Sequence, residues 1–295
     1  MSKKVICFGE MLWDCIPDKE IPGGAPMNVA LHLQQLGLST AMISRIGEDK
    51  RGDDILDFVK NYGLRTDLIQ RDSVHPTGIV RVNNDDPENI KYTIVPHVAW
   101  DYIEATPSNY QAVSEVDALI FGTLAIRSQQ SWDTLLHLLP KARLKIFDIN
   151  LRAPFFDFEQ IEVLLGKCEI LKINEDELAI VADYFDIQHD TKSVCQLLTA
   201  HFPIQWVCVT LGARGAMIFE KGNIHSHSGY KVKVEDTVGS GDAFLAGFVK
   251  SFLEGKSPDE ILDFACALGA FVATKKGGTP RYEQTDIMKI VVEKP

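Results

Sequence analysis

Short apolar runs alternate along the chain with longer segments in which apolar residues recur at helical spacing. In the segment 26–36, for example, Val29, Ala30 and Leu33 fall on one face of a helix, and Gly37 marks its end. Repeated succession of strand, helix and strand predicts a parallel sheet that helices cover on both faces. The other predicted strands are 4–9, 118–121, 145–149, 170–173 and 206–210, and the other predicted helices lie near 53–62, 129–139, 158–167, 175–184 and 191–201.

One region departs from this alternation. Between 77 and 103, two stretches with period-two apolar spacing, 79–82 and 92–95, flank a polar turn at 83–89. This pattern predicts an antiparallel hairpin rather than a strand–helix–strand unit. Residues 10–21 can supply further strands to the same small sheet.

The chain has 295 residues and contains no linker, internal repeat or low-complexity segment. That length suffices for one large domain with a substantial core. We therefore expect a single α/β domain over 1–295, with a β-rich lid formed by about 11–24 and 77–104. An exposed hairpin edge in such a lid can pair with the same edge of a second copy, which would give a homodimer.

The composition is that of an ordinary soluble protein, with 45% hydrophobic and 24% charged residues. A formal net charge of −11 argues against nucleic acid or an anionic membrane surface as a partner. No apolar run approaches the roughly 18–20 residues that cross a bilayer, and the apolar stretch after Lys4 is too short for a secretory signal. The sequence therefore predicts a cytoplasmic protein whose cysteines are reduced thiols.

The segment 236–242 has the sequence Asp-Thr-Val-Gly-Ser-Gly-Asp and runs directly into an apolar helical pattern. Its glycines permit a tight turn in which backbone N–H groups converge, and the helix adds its unpaired N–H groups and positive dipole end. Such a turn binds an anion, most often a phosphate. The carboxylate of Asp242 would repel a resting phosphate but could take a proton from a hydroxyl that attacks it. The segment is typical of a phosphotransferase site; the alternative is a glycine turn that only joins a strand to a helix.

Two polar residues near the start of the chain are candidates for binding a polyhydroxyl ligand. Asp14 follows the first predicted strand, where open α/β sheets bind ligands, and a surface aspartate is the alternative. Asn28 enters a helix just after Gly24 and offers both a donor and an acceptor. For Asn28, the alternative is a simple helix N-terminal turn.

Two further segments also follow predicted strands. Asn174 and Glu177 could face the magnesium of a nucleotide, directly or through water, because a spacing of three places them on one side of a helical turn. The alternative for this pair is a helix cap. The small residues within the segment from Thr210 to Ala216 would let a nucleotide lie against the backbone, although alone they indicate only a turn.

These segments occur in the order seen in the ribokinase-like (PfkB) carbohydrate kinases, which the chain resembles over nearly its whole length. The most specific match is 236–242, followed by 23–28, whereas 174–177 and 210–212 are weaker. The resemblance implies a ribokinase-like three-layer α/β/α domain with a mostly parallel central sheet and a small β-rich lid. It also implies ATP-dependent phosphorylation of a primary hydroxyl on a sugar or nucleoside, with Mg²⁺ accompanying ATP and K⁺ as a candidate activator. A lid would keep water from the phosphate donor.

The resemblance also implies a role for each matching residue. Asp242 would be the catalytic base, and the N–H groups of Gly239, Ser240 and Gly241 would bind the transferring phosphoryl group. The residues implied at the sugar are Asp14, Gly24 and Asn28, with Arg152 near the sugar or the phosphate. Those implied at the nucleotide are Asn174, Thr210, Gly212 and Gly241, with Glu177 reaching magnesium through water and Asp236 holding a monovalent cation.

The Gly-Gly-Ala-Pro sequence at 23–26 and Asp14 resemble fructokinases most, which predicts conversion of fructose to fructose 6-phosphate. Ribokinases usually carry a lysine where this chain has Ala25. A ketodeoxygluconate kinase would need a cation for the substrate carboxylate, and Arg152 is the candidate. Ser240 stands where the family usually has alanine. A non-catalytic sugar or nucleotide sensor on the same fold is the remaining alternative.

Overall fold

The computed structural model describes residues 2–16, 19–83, 91–187 and 190–292. In chain order the strands are β1 (Lys4–Phe8), β2 (Leu12–Ile16), β3 (Lys19–Gly23), β4 (Ser39–Gly47), β5 (Ile69–Asp72), β6 (Gly78–Asn83), β7 (Lys91–Ile94), β8 (Ala118–Gly122), β9 (Lys145–Asp148), β10 (Ile170–Asn174), β11 (Trp206–Thr210), β12 (Ala216–Glu220) and β13 (Asn223–His227). The helices are α1 (Ala25–Gln35), α2 (Lys50–Asn61), α3 (Pro107–Ser114), α4 (Gln129–Leu138), α5 (Phe158–Leu165), α6 (Glu175–Tyr184), α7 (Thr191–His201), α8 (Ser240–Leu253), α9 (Pro258–Ala273) and α10 (Gln284–Val292). Short 3₁₀ helices lie at Ala99–Tyr102, Leu124–Ile126, Leu139–Lys141 and Gly212–Arg214.

Nine strands form the central sheet, in the order β13-β12-β11-β10-β9-β8-β1-β4-β5. The pairs from β11 to β5 are all parallel, whereas β12 and β13 run antiparallel at one edge. Parallel strands need long crossover connections, and here helices supply them. Because those helices bury both faces of the sheet, β1 and β8 are almost continuously apolar.

Successive side chains of a strand point to opposite faces, so each face of the sheet has its own core. In β1, Ile6 and Phe8 pack on the side that carries α3 to α7. Val5 and Cys7 pack on the other side, against α1, α2, α8 and α9. The resulting three-layer α/β/α arrangement with a mostly parallel sheet confirms the predicted fold class.

A separate sheet of four strands has the order β3-β2-β6-β7. Strand β2 pairs antiparallel with β3 and parallel with β6, and β6 pairs antiparallel with β7. All four strands fall within the segments 11–24 and 77–104, where the sequence predicts a lid, although Ala99–Tyr102 is a 3₁₀ helix. Most of the polar turn predicted at 83–89 lies outside the described residues.

Helix α2 begins earlier than the predicted 53–62, because Asp49 caps it. The Asp49 carboxylate accepts a hydrogen bond from the N–H of Gly52 at 2.8 Å, which stabilises a first turn that contains a glycine. Among the described helices, none is both long enough and apolar enough to cross a membrane.

Candidate active site

A glycine turn starts α8. Gly239 has a φ of 73°, in the left-handed region, and a Cβ at this position would lie 2.4 Å from the Cα of Gly278. Both the backbone angle and the close neighbour therefore require glycine. The turn presents the N-terminus of a 14-residue helix, whose unpaired N–H groups and positive dipole end attract anions.

Ser240 is held within this turn by two hydrogen bonds. Its Oγ donates to the carbonyl of Gly269 at 2.9 Å and ties the turn to α9. Its backbone N–H donates to the carbonyl of Thr237 at 3.2 Å. Three N–H groups were predicted to bind a phosphoryl group. In this conformation that of Ser240 is used within the turn instead.

Asp242 lies in the first turn of α8 and pairs with a residue of α1. Its Oδ2 accepts a hydrogen bond from Nδ2 of Asn28 at 2.8 Å. Burial raises the pKa of Asp242 to about 6, and the nearby Asp148 carboxylate adds to the rise, against Asn28, Lys172 and Arg152, which lower it. At neutral pH the group is therefore mostly ionised, yet it is more basic than an ordinary aspartate, as a general base should be.

Two buried charges lie next to this turn. Nζ of Lys172 on β10 is 2.8 Å from Oδ1 of Asp148 on β9, and both side chains are 8% exposed. A Cβ on Gly241 would lie 3.7 Å from the same Nζ. The sequence-based prediction missed Lys172; the available signal was a lone charged residue in the apolar strand 170–173. It also left Asp148 without a role.

Arg152 joins the predicted sugar residues to Asp242 electrostatically. Burial raises the pKa of Asp14 on β2 to about 6, and the positive charge of Arg152 opposes that rise. Burial likewise raises the pKa of Glu10 to about 7, with Arg152 lowering it and Asp242 raising it. Arg152 therefore interacts electrostatically with Asp14, Glu10 and Asp242, and the sequence-based prediction did not include Glu10. Asp14 is not the exposed surface aspartate that was the alternative.

The segment before α1 places Asn28 against this group. Gly24 has a φ of 117°, and a Cβ there would lie 2.4 Å from the carbonyl oxygen of Glu10. The carbonyl of Gly24 accepts the N–H of Asn28 at 2.9 Å, which starts the helix. The Oδ1 atom of Asn28 is buried and has no hydrogen-bond partner among the described residues. A buried acceptor without a partner is costly, so it is suited to a donor on a bound ligand.

Asn174 and Glu177 form a capping box at the start of α6. Oδ1 of Asn174 accepts the N–H of Glu177 at 2.9 Å, and Oε2 of Glu177 accepts the N–H of Asn174 at 2.9 Å. Oε1 of Glu177 accepts the N–H of Leu151 at 2.8 Å. The helix-cap alternative is thus realised. The roles of both residues toward nucleotide and magnesium remain predictions.

Thr210 ends the strand β11 beside Asn174. The two residues are register partners at the carboxyl ends of neighbouring parallel strands. Gly212 follows in a 3₁₀ helix with a φ of 59°, and no atom lies within 4 Å of where its Cβ would be. Arg214 forms an ion pair with Glu175 and so links this turn to α6. The predicted nucleotide residues Asn174, Thr210 and Gly212 therefore lie along the carboxyl ends of β10, which also contains Lys172, and β11.

Asp236 connects two loops beside the glycine turn. Its Oδ1 accepts the N–H of Val238 at 3.0 Å, and its Oδ2 accepts the N–H of Gly277 at 3.1 Å. The next residue, Gly278, contacts Gly239, and its carbonyl is 2.9 Å from Nε2 of His32. The Gly277-Gly278 pair was a visible signal that the sequence-based prediction did not use. A cation at Asp236 remains a prediction.

The donors in this region suit magnesium that arrives with a nucleotide. The amide oxygen of Asn174 ends β10, the carboxylate of Glu177 lies in the first turn of α6, and oxygen is the donor that Mg²⁺ prefers. Among the described residues, no cluster of three or more acidic, histidine or cysteine side chains could hold a metal alone. Phosphate oxygens and water would therefore have to complete the coordination.

Comparison with known proteins decides the family. The model of the pfkB family carbohydrate kinases matches residues 2–285. The chain belongs to this family. Membership makes it an ATP-dependent sugar kinase and confirms the predicted family.

Relatives of this pfkB-family chain include fructokinases. It is 28% identical to the fructokinase of Escherichia coli, over 94% of this chain and 95% of that protein. Its fold matches the crystal structure of a fructokinase with bound ATP from Xylella fastidiosa with a TM-score of 0.89, at 21% identity, over 99% of both chains. It also matches the 2-dehydro-3-deoxygluconokinase of Thermotoga maritima with a TM-score of 0.85, at 21% identity, over 98% of this chain and 99% of that one. The predicted ribokinase-like architecture is thereby confirmed.

Proposed function

We propose that the protein is a fructokinase that transfers the γ-phosphate of ATP to the C6 hydroxyl of fructose. The observation that carries the proposal is the hydrogen bond between Asn28 and Asp242 at the N-terminus of α8. This bond joins the carboxylate that we propose as the base to a buried amide, at a helix end that attracts anions, and so supports the proposal.

In the proposed reaction, Asp242 accepts the proton of the attacking hydroxyl as that oxygen bonds to phosphorus and the bond to the β-phosphate oxygen breaks. The N–H groups at Gly239 and Gly241 stabilise charge on the transferring phosphoryl group, with that of Ser240 joining if its bond to Thr237 yields. Because phosphoryl transfer demands little covalent work from the protein, positioning supplies most of the acceleration.

The sugar is held on the side of α1. Asp14 accepts from sugar hydroxyls, and the unpartnered Oδ1 of Asn28 accepts from one more. Gly24 borders the sugar with its backbone, and Arg152 donates to the sugar or to the phosphate. The small sheet of β2, β3, β6 and β7 acts as the lid, and a homodimer would form at one of its edge strands, β3 or β7.

The nucleotide lies along the ends of β10 and β11, against Asn174, Thr210 and Gly212. Glu177 would contact the water shell of Mg²⁺ bound with ATP, and the ion would supply positive charge that offsets the charge of the phosphates. Asp236 assists a monovalent cation such as K⁺ beside the glycine turn. We propose that the reaction takes place in the cytoplasm.

Charge favours a neutral sugar over an acidic one. The positive charge of Arg152 already faces three acidic groups, Asp14, Glu10 and Asp242. The carboxylate of a ketodeoxy acid would add a further negative charge to this group. Fructose carries none, and fructokinases are among the relatives at 28% identity.

The test is ADP release with magnesium-ATP across fructose, ribose, glucose, ketodeoxygluconate and adenosine. We expect fructose to give the highest kcat/KM, and Asp242→Asn to lower kcat about 10²–10⁴-fold through loss of the base. Asp259→Asn, in the first turn of the neighbouring helix α9 and 78% exposed, is the matched control and should keep full turnover.

Each other outcome has a defined meaning. A higher kcat/KM for ketodeoxygluconate or ribose would mean that fructose is not the substrate, but the protein would still be a sugar kinase. Near-normal turnover in Asp242→Asn would show that Asp242 is not the catalytic base. If no compound in the panel gave ADP release while the protein still bound ATP, a non-catalytic sugar or nucleotide sensor would be favoured.

A further inference from the structure

Lys172 is an unusual residue for its place in the fold. It lies on β10, a parallel strand with neighbours on both sides, where side chains are normally apolar. Its side chain is 8% exposed. A buried ammonium group carries a large desolvation penalty, which its ion pair with Asp148 offsets only in part. The fold carries this penalty next to the candidate active site.

The ammonium group of Lys172 lies beside the first turn of α8. Its Nζ is 3.7 Å from the position of a Cβ on Gly241, so it is close to the backbone predicted to bind the phosphoryl group. Its charge also interacts with the carboxylates of Glu177 and Asp242. Together with the ion pair to Asp148 at 2.8 Å, these interactions place the ammonium group among three acidic groups.

Phosphoryl transfer would add more negative charge at this point. The γ-phosphate must approach Asp242, and the hydroxyl must lose its proton to a carboxylate beside that phosphate. Coulomb interactions between such buried groups are strong, because the local dielectric constant is low. A fixed positive charge behind the turn lowers the repulsion between base and phosphate without occupying the space in which the substrates meet.

We propose that Lys172 is a positioning residue for phosphoryl transfer, whose ammonium group, held by Asp148, supports the turn at Gly241 from behind and offsets the negative charge of Asp242 and the transferring phosphoryl group. The inference rests on the proposed role of Asp242 as the base. It extends that proposal to the ion pair behind the turn, in which Asp148 lies on β9 and Lys172 lies on β10.

The first test is Lys172→Met, which keeps the length of the side chain and removes its charge. Since this change leaves Asp148 buried and unpaired, the double variant Lys172→Met/Asp148→Asn removes both charges and protects the test against simple misfolding. We expect kcat to fall about 10²-fold in the double variant, with a smaller change in the KM for ATP. Lys172→Arg, which retains the charge, should recover most of the turnover.

The pH profile separates this role from a structural one. The groups that face Asp242 are Asn28 from α1, Lys172 and Asp148 from β10 and β9, Arg152 from the loop after β9, and Glu10 from the end of β1. With the positive charge of Lys172 removed, the acid limb of kcat should move to higher pH, by about one unit when Asp148 is retained. The double variant removes opposing charges and should show a smaller movement.

The control is Lys145→Met, which breaks the ion pair of Lys145 with Glu169 at the amino end of β9. It should leave kcat and the pH profile unchanged. Unchanged kcat and acid limb in the folded Lys172 variants, with only a lower Tm, would overturn the inference. Failure of the wild-type protein on every sugar, or full turnover in Asp242→Asn, would instead overturn the proposed function, so the two failures are distinguishable.

Discussion

The two regions that border the candidate site are held by different kinds of contact. Behind α8, the ion pair of Lys172 with Asp148 joins side chains that are both 8% exposed. The small sheet is joined to α2 by the ion pair of Arg51 with Glu20, whose side chains are 44% and 43% exposed. Buried pairs are strongly destabilising to break, whereas exposed pairs contribute little.

This difference suits the two jobs that the regions would have. Groups that meet a transition state must hold their geometry closely, and buried bonds and glycine contacts restrict their movement. A sheet that opens to admit a sugar must move at low free-energy cost, and exposed contacts permit that. We expect substitutions near α8 to affect turnover, and substitutions at the small sheet to affect substrate binding at most.

Gly239→Ala should have the largest effect. Alanine in the left-handed region costs about 1–2 kcal/mol, and its Cβ would lie 2.4 Å from the Cα of Gly278, which adds about 1–3 kcal/mol of overpacking. Displacement of the turn should also lower kcat about 10²-fold. Thermal unfolding and steady-state kinetics measure both effects.

Gly222→Ala is the matched control for this substitution. Gly222 also has a positive φ, 83°, but no atom lies within 4 Å of its Cβ position. Gly222→Ala should lose only the stability that alanine costs in the left-handed region, about 1–2 kcal/mol, and it should keep full turnover. Equal losses of stability and activity in the two variants would show that contact with Gly278 does not matter.

Asp242→Asn should be more stable than the wild type at pH 7–8, although it loses turnover. Because the folded pKa of Asp242 is raised from 3.8 to about 6, its stabilising contribution is full below pH 3.8 and is lost as the pH rises through 6. The neutral amide removes that loss, and we expect a gain of no more than about 2 kcal/mol. Urea unfolding at pH 8 and pH 4 measures it.

The direction in which the stability difference between Asp242→Asn and the wild type changes with pH tests whether burial raises the pKa of Asp242. The advantage of Asp242→Asn should shrink as the pH falls from 6 towards 4, because the carboxyl of the folded wild type then takes up a proton and its burial no longer costs free energy. An advantage that grows on acidification would mean that Asp242 is stabilised in its ionised form. In that case Asn28, Lys172 and Arg152 would outweigh burial.

Local patterns in the sequence predicted the sheet and the glycine turn. The apolar runs of β1, β8 and β11 reflect burial on both faces, and the sequence 236–242 contains its own turn and helix start. These features depend on neighbours in the chain, so they can be identified without knowledge of the fold. The capping of α2 by Asp49 is local as well, but its effect on the helix boundary was not predicted.

Features that depend on distant residues could not be predicted in this way. The position of Lys172 has meaning only beside Asp148 on another strand, and Gly278 only against Gly239. The burial of Glu10 likewise depends on the fold, because a carboxylate after a strand is as often exposed. Spatial proximity created by the sheet, rather than spacing in the chain, decides the charge of the site.

Glu20→Gln should have the smallest effect. Removing one partner of an exposed ion pair changes stability by less than about 1 kcal/mol, so Tm should fall by about 2 °C or less. If the small sheet is a lid, the KM for fructose should rise by no more than about fivefold with kcat unchanged, and the rise should vanish at high salt.

Asp67→Asn is the control for Glu20→Gln, because it breaks the exposed pair of Asp67 with Arg65 outside the small sheet. It should change neither KM nor kcat. If Glu20→Gln instead lowered Tm as much as Gly239→Ala, the small sheet would be part of the rigid framework. Opening of the small sheet would then cost too much free energy for a lid. The proposed difference between the two regions would be wrong, because the exposed pair would hold the small sheet as firmly as the buried contacts hold α8.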